Sequence, residues 1–231
     1  MQPAKRKHRT GAGPAIPGEA ASEVATTRMS LYLRGLARCE ADGISVVSSD
    51  GLAAAAGCKS ALVRKDLAHF GQFGVRGVGY EVRVLRTRIR RILGLERDLP
   101  LVIVGAGHLG MALAGYRGFN TGGFRTIALF DVDPEKVNRK TRGGVPVRRM
   151  RDLAGVAKRE KVDLAVLAVP VEAAQKSFDQ IAAAGIRAVL NFVPARLKAR
   201  RGMHVRSVDL RVHLEGLAYL VSRAAKKDPR R

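Results

Sequence analysis

The chain has 231 residues, and its 42 lysines and arginines outnumber 20 aspartates and glutamates to give a formal net charge of +22. That length accommodates two small domains, and the charge favours a polyanionic partner, most simply DNA or RNA; a proteome rich in arginine throughout is the alternative explanation. The two cysteines, Cys39 and Cys58, have neither metal-site spacing nor a disulfide framework. We recognise no secretory signal peptide and no run of about 18 apolar residues. We therefore expect a cytoplasmic protein that neither spans a membrane nor binds a metal.

The first 94 residues divide into a tail and a small helical domain. Residues 1–21 are rich in Lys, Arg, Gly, Pro and Ala and lack periodicity, which predicts a disordered basic tail. The pattern then predicts helices over 22–41 and 49–56, with Ser22 and Ser49 as N-caps, and a third helix from Lys59 or Ser60 to Phe70. A short extended piece is predicted over 44–47. A fourth, amphipathic helix over 82–93 is predicted to bridge to the second domain through a linker at 95–100.

The third of these helices carries a basic face. Val63, Leu67 and Phe70 recur at i, i+4 and i+7, so we expect them to face the core. Arg64 and Lys65 then point away from the core into solvent. A basic face on the third of three short helices is typical of a helix that enters the major groove of DNA. A solvated surface on a structural three-helix unit is the alternative.

A glycine-rich stretch at 71–80 follows the basic helix and predicts a hairpin with Arg76 near its tip. The order helix, extended piece, helix, turn, basic helix and hairpin predicts a winged helix-turn-helix domain over 22–94. In such a domain the hairpin would place Arg76 in the minor groove next to the site of the third helix. The candidate DNA contacts are Lys59, Ser60, Arg64, Lys65, Arg76 and Gly77.

A glycine motif begins the second half of the chain. Four apolar residues lead into Gly105-Ala106-Gly107-His108-Leu109-Gly110, and a later apolar strand ends in Asp131, 21 residues after the motif. In this context a GxGxxG motif binds a dinucleotide: the first glycine permits a tight turn, the second lets the backbone approach a pyrophosphate, and the third allows close packing of helix on strand. The phosphates face the helix N-terminus, and the carboxylate of Asp131 can accept from a ribose 2′-hydroxyl. A plain βαβ turn with tolerated glycines is the alternative.

Alternating strands and helices follow the motif. Strands are predicted at 101–104, 126–131, 144–147, 163–169 and 188–192, and helices are predicted to begin near Leu109, Pro134, Asp152 and Glu172. Such alternation predicts an α/β fold with a Rossmann-like, doubly wound, mostly parallel sheet over 101–210. Ligands bind beyond the carboxyl ends of such strands. The candidates for the nicotinamide half of the site are therefore Val169, Pro170, Asn191, Phe192 and Pro194.

The C-terminal segment reads as a strand over 205–210 and an apolar helix over 214–224. Leu214, Leu217, Leu220 and Val221 give this helix more apolar surface than a lone terminal helix should expose. We therefore predict that it packs against another subunit or domain.

Several motifs, spread in order along nearly the whole chain apart from the tail, resemble those of one family. They are Val63-Arg64-Lys65-Asp66-Leu67 with Phe70-Gly71, Arg76-Gly77-Val78-Gly79-Tyr80, Gly105 to Gly110, Phe130-Asp131-Val132-Asp133-Pro134, Leu190-Asn191-Phe192 with Pro194, and Val208-Asp209-Leu210. In these motifs the chain resembles the Rex family of redox-sensing transcriptional repressors. The combination of RKDL, FG and RGVGY is specific, whereas the glycine motif alone is not.

The resemblance implies a homodimer that binds an inverted-repeat DNA operator when NADH is scarce and releases it when NADH accumulates, with NAD⁺ as the competing ligand. It also implies that the C-terminal segment 211–231 is a helix and tail swapped into the partner. Arg64 and Lys65 would meet the major groove, and residues 105–110 with Asp131 would hold the dinucleotide. By the same resemblance Tyr116 approaches the nicotinamide region, and Arg34 and Asp209 form a charged contact that rearranges between the two states.

His108 and the tail depart from the family pattern. His108 occupies a position where many relatives have Asn or Arg, which implies a weaker or pH-dependent pyrophosphate contact, and the basic N-terminal extension is longer than the family needs.

An NAD-dependent oxidoreductase with a basic N-terminal domain is the first alternative function, and a CoA-type nucleotide-binding module is the second. Hydride transfer needs a positioned acid or base. His108 lies at the phosphates, and His204 and His213 in the C-terminal region have no partner in the sequence pattern. We therefore expect no catalytic residue and no enzyme activity.

Overall fold

The computed structural model describes residues 23–71, 73–74 and 77–227. They form two compact units, one that ends at Glu96 and one that begins at Arg97. The predicted tail, the predicted N-cap Ser22 and the candidate DNA contact Arg76 lie outside the described residues. Within the described part, no helix is long and apolar enough to cross a membrane. The same part contains no group of three or more His, Cys, Asp or Glu side chains that could hold a metal ion.

The first unit is a helix-turn-helix domain with a small antiparallel ribbon. Its elements are α1 (Glu23–Ala41), β1 (Val46–Val47), α2 (Ser49–Ala56), α3 (Ser60–Phe70), β2 (Tyr80–Glu81) and α4 (Val82–Ile92). β1 pairs with β2 in antiparallel register, Val47 opposite Tyr80. One apolar core joins all four helices and is built from Met29, Tyr32, Leu36, Leu52, Val63, Leu67, Leu85 and Ile89. The predicted helices and their core-facing residues on α3 are confirmed.

Two local features of the first unit differ from the prediction. The N-cap of α2 is Ser48 rather than Ser49, since Ser48 has extended backbone angles and its Oγ accepts a hydrogen bond from the N–H of Gly51 at 3.0 Å. The predicted linker 95–100 is shorter than expected. Leu95 is buried in the first unit, where Arg90 donates to its carbonyl oxygen, and the strand of the second unit already begins at Leu99.

The second unit is a six-stranded parallel sheet with flanking helices. Its elements are β3 (Leu99–Val104), α5 (His108–Ala114), α6 (Arg117–Gly122), β4 (Phe124–Asp131), β5 (Val147–Arg149), α7 (Leu153–Glu160), β6 (Leu164–Leu167), α8 (Ala174–Ala183), β7 (Ala188–Asn191), β8 (His204–Ser207) and α9 (Leu210–Lys227). The strand order is β5-β4-β3-β6-β7-β8. The order reverses between β3 and β6, and sheets of this kind bind ligands beyond the strand ends at such a point. The predicted α/β class, with a parallel Rossmann-like sheet behind a winged helix-turn-helix, is confirmed.

Alternation along the strands supplies both faces of the sheet with apolar side chains. Val102 and Val104 face one core together with Phe130 and Phe178. Leu101 and Ile103 face the other core, where Leu129, Val147 and Val166 join them. Near-continuous apolar strands of this kind are typical of parallel sheets that are covered on both sides.

Three predicted elements of the second unit were wrong. The segment at Pro134 is a turn instead of a helix, because Asn138 adopts a φ of +65° and donates its N–H to the Val147 carbonyl. The strand predicted at 144–147 starts only at Val147. The strand predicted at 205–210 ends at Ser207, because Asp209 accepts a hydrogen bond from the N–H of Arg211 and so caps α9. Helix α6 was not predicted.

Candidate nucleotide site and DNA-binding surface

The glycine loop (Gly105–Gly110) joins β3 to α5 at the point where the strand order reverses. Gly105 has a φ of +105°, and a Cβ on it would lie 2.1 Å from the Ala168 carbonyl oxygen, on the loop that follows β6. A Cβ on Gly110 would lie 1.8 Å from the carbonyl oxygen of Gly105. These two glycines therefore allow the loop, the neighbouring strand end and α5 to pack closely, as the motif predicts.

Gly107 has a different environment, because a Cβ built on it meets no atom within 4 Å. The residue precedes α5 with extended backbone angles, and its side faces open space. The first N–H groups of a helix have no partner within the helix and attract anions. The loop therefore has the shape expected of a pyrophosphate site, with His108 and Leu109 exposed on the first turn of α5 and Ala106 buried beneath it.

Asp131 ends β4 and lies against the glycine loop. Its Oδ2 accepts a hydrogen bond from the Ala106 N–H at 2.7 Å, and its Oδ1 accepts one from the Asp133 N–H at 2.9 Å. Lys136 places its Nζ 3.7 Å from Asp131 and 3.2 Å from Asp133. This arrangement fixes the carboxylate beside the loop and puts a cation next to it, and the sequence analysis did not single out that cation. The Asp133–Lys136 spacing of i, i+3 was the available signal.

The Lys136 ammonium is held in its charged form by its neighbours. The hydrogen bond to Asp133 raises the pKa of Lys136 above its ordinary value, although partial burial opposes this effect and Asp131 supports it. The N–H of Glu135 and then Lys136 lower the pKa of Asp133. The edge of the site at Asp131 is therefore a compact arrangement of two carboxylates around one cation.

The two remaining strand ends that were predicted to line the site differ from each other. Val169 is half-buried and Pro170 exposed after β6, and Phe192 is half-buried and Pro194 exposed after β7. Asn191, by contrast, is completely buried. Its amide nitrogen donates to the Val193 and Ala195 carbonyls and to Ser207, and its Oδ1 accepts from the Val193 N–H. Asn191 therefore shapes the loop 192–195 from inside, and its side chain has no atom left to present to a ligand.

Tyr116 lies between α5 and α6 and is 55% exposed. Its ring meets Phe119 edge to face with centroids 5.2 Å apart. A Cβ on Gly118 would come within 2.4 Å of the Tyr116 ring, so the glycine allows the ring to lie against α6. The short helix that sequence patterning missed thus positions an exposed aromatic ring.

The exposed face of α3 carries the predicted DNA contacts. Arg64 and Lys65 are exposed, as is Lys59 at the N-cap of the helix, and Ser60 is half-buried on its first turn. Gly77 is exposed in the segment that follows α3. In the same segment a Cβ on Gly74 would lie 2.4 Å from the Gly79 carbonyl oxygen, so these two glycines lie close together.

A buried polar cluster fixes α3 to α1. Arg28 on α1 donates two hydrogen bonds to Asp66 on α3, at 2.5 and 2.7 Å, and the Tyr32 hydroxyl donates a third at 2.8 Å. The Tyr32 hydroxyl also lies 3.8 Å from the sulfur of Cys58. Asp66 is only 5% exposed although its neighbour Lys65 faces solvent. In the sequence Asp66 stands out only as a member of the RKDL motif, so this role was missed.

The Arg28–Asp66 pair keeps its charges in the interior. Burial by itself would raise the pKa of Asp66, but the hydrogen bonds from Arg28 and Tyr32 prevail and hold this pKa below its ordinary value. The same hydrogen bond raises the pKa of Arg28. Burial, and then the hydrogen bond to Asp66, raise the pKa of the Tyr32 hydroxyl. The hydrogen bonds thus keep Asp66 ionised and Arg28 protonated, and burial together with them keeps Tyr32 protonated.

The two predicted switch residues belong to different units. Arg34 is exposed on α1 in the first unit. Asp209 is exposed in the second unit, where it caps α9. Both are accessible to a partner of opposite charge, and the contact between them stays a prediction.

Helix α9 presents a large apolar surface. Seven of its apolar side chains are 59–69% exposed: Leu210, Val212, Leu214, Leu217, Tyr219, Leu220 and Val221. Exposed apolar surface of this extent on a helix is typical of an interface. The helix starts four residues earlier than predicted and includes the whole apolar set that the sequence analysis named.

A helix-turn-helix unit with an exposed basic helix, followed by a parallel sheet whose glycine loop is shaped for a dinucleotide, defines a class: DNA-binding regulators with a nucleotide-binding domain. Family models agree on both parts, since one described as a putative DNA-binding protein N-terminus matches residues 21–68 and one described as a CoA binding domain matches residues 96–195. The redox-sensing transcriptional repressor Rex of Streptomyces coelicolor is 42% identical to this chain, over 96% of this chain and 84% of that protein. The chain belongs to the Rex family of redox-sensing transcriptional repressors.

Two solved structures of one Rex-family protein are similar to this chain. RSP in complex with β-NAD⁺ and operator DNA has a TM-score of 0.82 at 32% identity and covers 89% of this chain and 94% of that one. RSP in complex with β-NADH has a TM-score of 0.79 at 30% identity and covers 89% of this chain and 96% of that one.

Proposed function

We propose that this protein is a homodimeric repressor that binds an inverted-repeat operator when NADH is scarce and releases the DNA when NADH binds to the second unit. The observation that carries the proposal is the coexistence of two sites in one chain: the exposed basic face of α3 and the glycine loop with Asp131 at the end of β4. Membership of the Rex family and the similarity to structures with operator DNA and with NADH support it.

The difference between NADH and NAD⁺ is the charge on the nicotinamide ring. Tyr116, Phe192 and Pro194, together with the buried Val193, would form the ring pocket, and none of these side chains carries a negative charge. Burying the cationic ring of NAD⁺ among them would cost more than burying the neutral ring of NADH. The exposed Tyr116 ring would also stack on the planar neutral ring.

Release of DNA requires that NADH bind the conformation that is incompetent for DNA more tightly than the competent one, because equal affinity shifts no equilibrium. Two recognition helices on a two-fold site must lie about 34–36 Å apart. A change of a few ångströms in their separation would break one half-site. The pair Arg34 and Asp209 supplies opposite charges, one from each unit, whose contact would rearrange in this change.

The dinucleotide interpretation is favoured over the CoA and oxidoreductase alternatives by the residues at the site. The ribose of CoA carries a phosphate group, which the fixed carboxylate of Asp131 would repel. Hydride transfer needs an acid or base beside the nicotinamide, whereas His108 lies at the phosphate end of the glycine loop. We therefore propose a sensor without enzyme activity.

The proposal is tested by titrating NADH and NAD⁺ separately into purified protein bound to a labelled inverted-repeat operator at fixed salt. NADH alone is expected to release the DNA. DNA binding that neither nucleotide changes would contradict the sensing step. Tight NADH binding without DNA binding at any salt would favour the oxidoreductase alternative, which is assayed by turnover of carbonyl compounds with NADH.

Lys65→Ala is expected to weaken operator binding and to flatten its salt dependence, because each phosphate contact contributes about −0.9 to the slope of log K against log salt. NADH affinity should not change, since Lys65 is exposed on α3 in the other unit. Titrations of operator DNA at several salt concentrations measure the effect. An unchanged slope would mean that α3 does not carry the phosphate contact.

Asp131→Ala is expected to lower the affinity for NADH and to reduce discrimination against NADPH. The carboxylate is fixed next to the glycine loop by two backbone N–H groups. Without it, Lys136 would keep only its ion pair with Asp133 and could also pair with a 2′-phosphate. Binding titrations with both nucleotides measure the ratio. If discrimination stays the same, Asp131 does not bind the ribose.

Leu217→Glu is expected to convert the dimer to a monomer and to abolish high-affinity operator binding. We propose that the apolar surface of α9 is covered by the partner subunit, with the helix exchanged between protomers. The charge introduced at position 217 would then be buried at the interface, which destabilises the dimer. Light scattering gives the mass and thermal unfolding gives the fold. Arg211→Glu on the same helix, with an exposed side chain, is the control and should stay dimeric; a dimeric Leu217→Glu protein would contradict the interface.

A further inference from the structure

Five cations lie along the outer edge of the sheet in the second unit. The segment 138–149, named here the basic hairpin, contains Arg139, Lys140, Arg142, Arg148 and Arg149 and no aspartate or glutamate. All five side chains are exposed. Within the described part of the chain, none of them takes part in a side-chain hydrogen bond or ion pair. Arg139 interacts electrostatically with the nearby Asp133, and the surface as a whole is strongly positive.

The backbone of the basic hairpin is ordered by its own hydrogen bonds. Asn138 donates to the Val147 carbonyl at 3.0 Å, and Val147 donates to the Arg139 carbonyl at 2.8 Å. At the turn, Thr141 is buried and its hydroxyl accepts from the Val145 N–H at 3.1 Å. β5 then pairs with β4 at the edge of the sheet. The cations are thus presented from a fixed backbone, which lowers the entropic cost of binding a partner.

Protection of an exposed sheet edge explains only part of this pattern. Charged side chains on an edge strand prevent pairing with another chain, and Arg148 and Arg149 lie on the edge strand β5. Arg139, Lys140 and Arg142 precede the strand, so edge protection gives no reason for them. Four of the five cations are arginines, whose planar guanidinium groups match phosphate oxygens in pairs.

We propose that the basic hairpin binds the phosphate backbone of duplex DNA outside the operator, without preference for sequence. This inference rests on the proposed operator binding by α3, because a chain held on an operator meets the flanking DNA at a high effective concentration. Contacts to phosphates alone add affinity and carry no sequence information. The basic hairpin would thus lengthen the footprint of the protein on DNA.

The test compares wild-type protein with the variant Arg139→Gln, Arg142→Gln, Arg148→Gln, Arg149→Gln. A matched control, Lys158→Gln, Lys176→Gln, Arg200→Gln, Arg201→Gln, removes the same charge from other exposed positions of the second unit. Affinity is measured for a short duplex that contains only the operator and for a duplex of about 60 base pairs with the operator at its centre. The affinities for NADH and NADPH and the thermal unfolding temperature are measured for all three proteins.

The hairpin variant is expected to match the control on the short duplex and to bind the long duplex at least about fivefold more weakly than the control. On the long duplex the magnitude of its salt slope should fall by about 0.9 for each phosphate that the variant no longer neutralises. Equal affinities of the two variants for the long duplex would overturn the inference. A selective change in NADH or NADPH affinity of the hairpin variant would assign the cations to the nucleotide site and overturn it as well. If wild-type protein does not bind the short duplex, the proposed function itself is wrong. The short duplex distinguishes this outcome from a failure of the present inference, because it contains only the operator.

Discussion

Gly107→Ala is expected to impair the release of operator DNA by NADH while it leaves the fold and DNA binding intact. A Cβ on Gly107 meets no protein atom within 4 Å, and its φ of −78° suits alanine. The added methyl group would instead occupy the space through which a pyrophosphate approaches the first turn of α5. We expect the affinity for NADH to fall at least about tenfold, which corresponds to about 1.4 kcal/mol.

Two measurements on three glycine variants separate this effect from a folding defect. Calorimetric titration with NADH gives the affinity, and thermal unfolding gives the stability. Gly155→Ala, on α7 and also without a neighbour within 4 Å, is the matched control and should bind NADH as the wild type does. Gly110→Ala should unfold the second unit, because its Cβ would lie 1.8 Å from the Gly105 carbonyl oxygen. Normal NADH affinity in Gly107→Ala would place the nucleotide elsewhere.

Asp66→Ala is expected to destabilise the first unit by about 3 kcal/mol and to abolish operator binding, although Asp66 is buried. Removal of the carboxylate leaves the partly buried Arg28 guanidinium and the Tyr32 hydroxyl without their acceptor, and the loss of one partner from a buried pair is strongly destabilising. For a domain of this size the unfolding temperature should fall by at least about 10 °C. NADH affinity, a property of the other unit, should not change.

The controls for Asp66 are an exposed carboxylate and a double-mutant cycle. Asp42→Ala, at the end of α1, removes an exposed side chain and should change stability by less than about 0.5 kcal/mol. Arg28→Ala combined with Asp66→Ala should cost less than the sum of the two single variants, since both remove the same interaction. An unfolding temperature of Asp66→Ala equal to that of the wild type would contradict the positioning role.

The dependence on pH has a definite sign. The folded pKa of Asp66 lies below its value in the unfolded chain, which is about 3.9. The stabilisation is therefore complete above about pH 4 and is lost as the pH falls through the folded value. The stability difference between wild type and Asp66→Asn should be constant near neutral pH and shrink below about pH 4.

Elements with a local cause were predictable from the sequence alone. Val63, Leu67 and Phe70 lie on one side of a helix whatever the rest of the chain does, and the exposure of Arg64 and Lys65 follows from that spacing. The steric limit at Gly110 is likewise local, because a Cβ there would meet the Gly105 carbonyl oxygen, so the glycine motif and the strands around it indicated the dinucleotide loop and the α/β class. The family motifs extended this prediction to the function.

Other features of the structure depend on contacts between residues that are far apart in the sequence, and these only tertiary packing decides. Asp66 and Arg28 are 38 residues apart, and only the packing of α3 on α1 brings the pair together and buries a carboxylate beside an exposed lysine. Asn191 lies at the predicted strand end, yet hydrogen bonds to residues of its own loop and to β8 consume its amide. A helix was predicted to begin near Pro134, but the chain turns at Asn138, whose N–H donates to the Val147 carbonyl. Local helix propensity takes no account of this partner. Periodicity and turn chemistry act over a few residues, whereas buried polar groups must find partners wherever the fold places them.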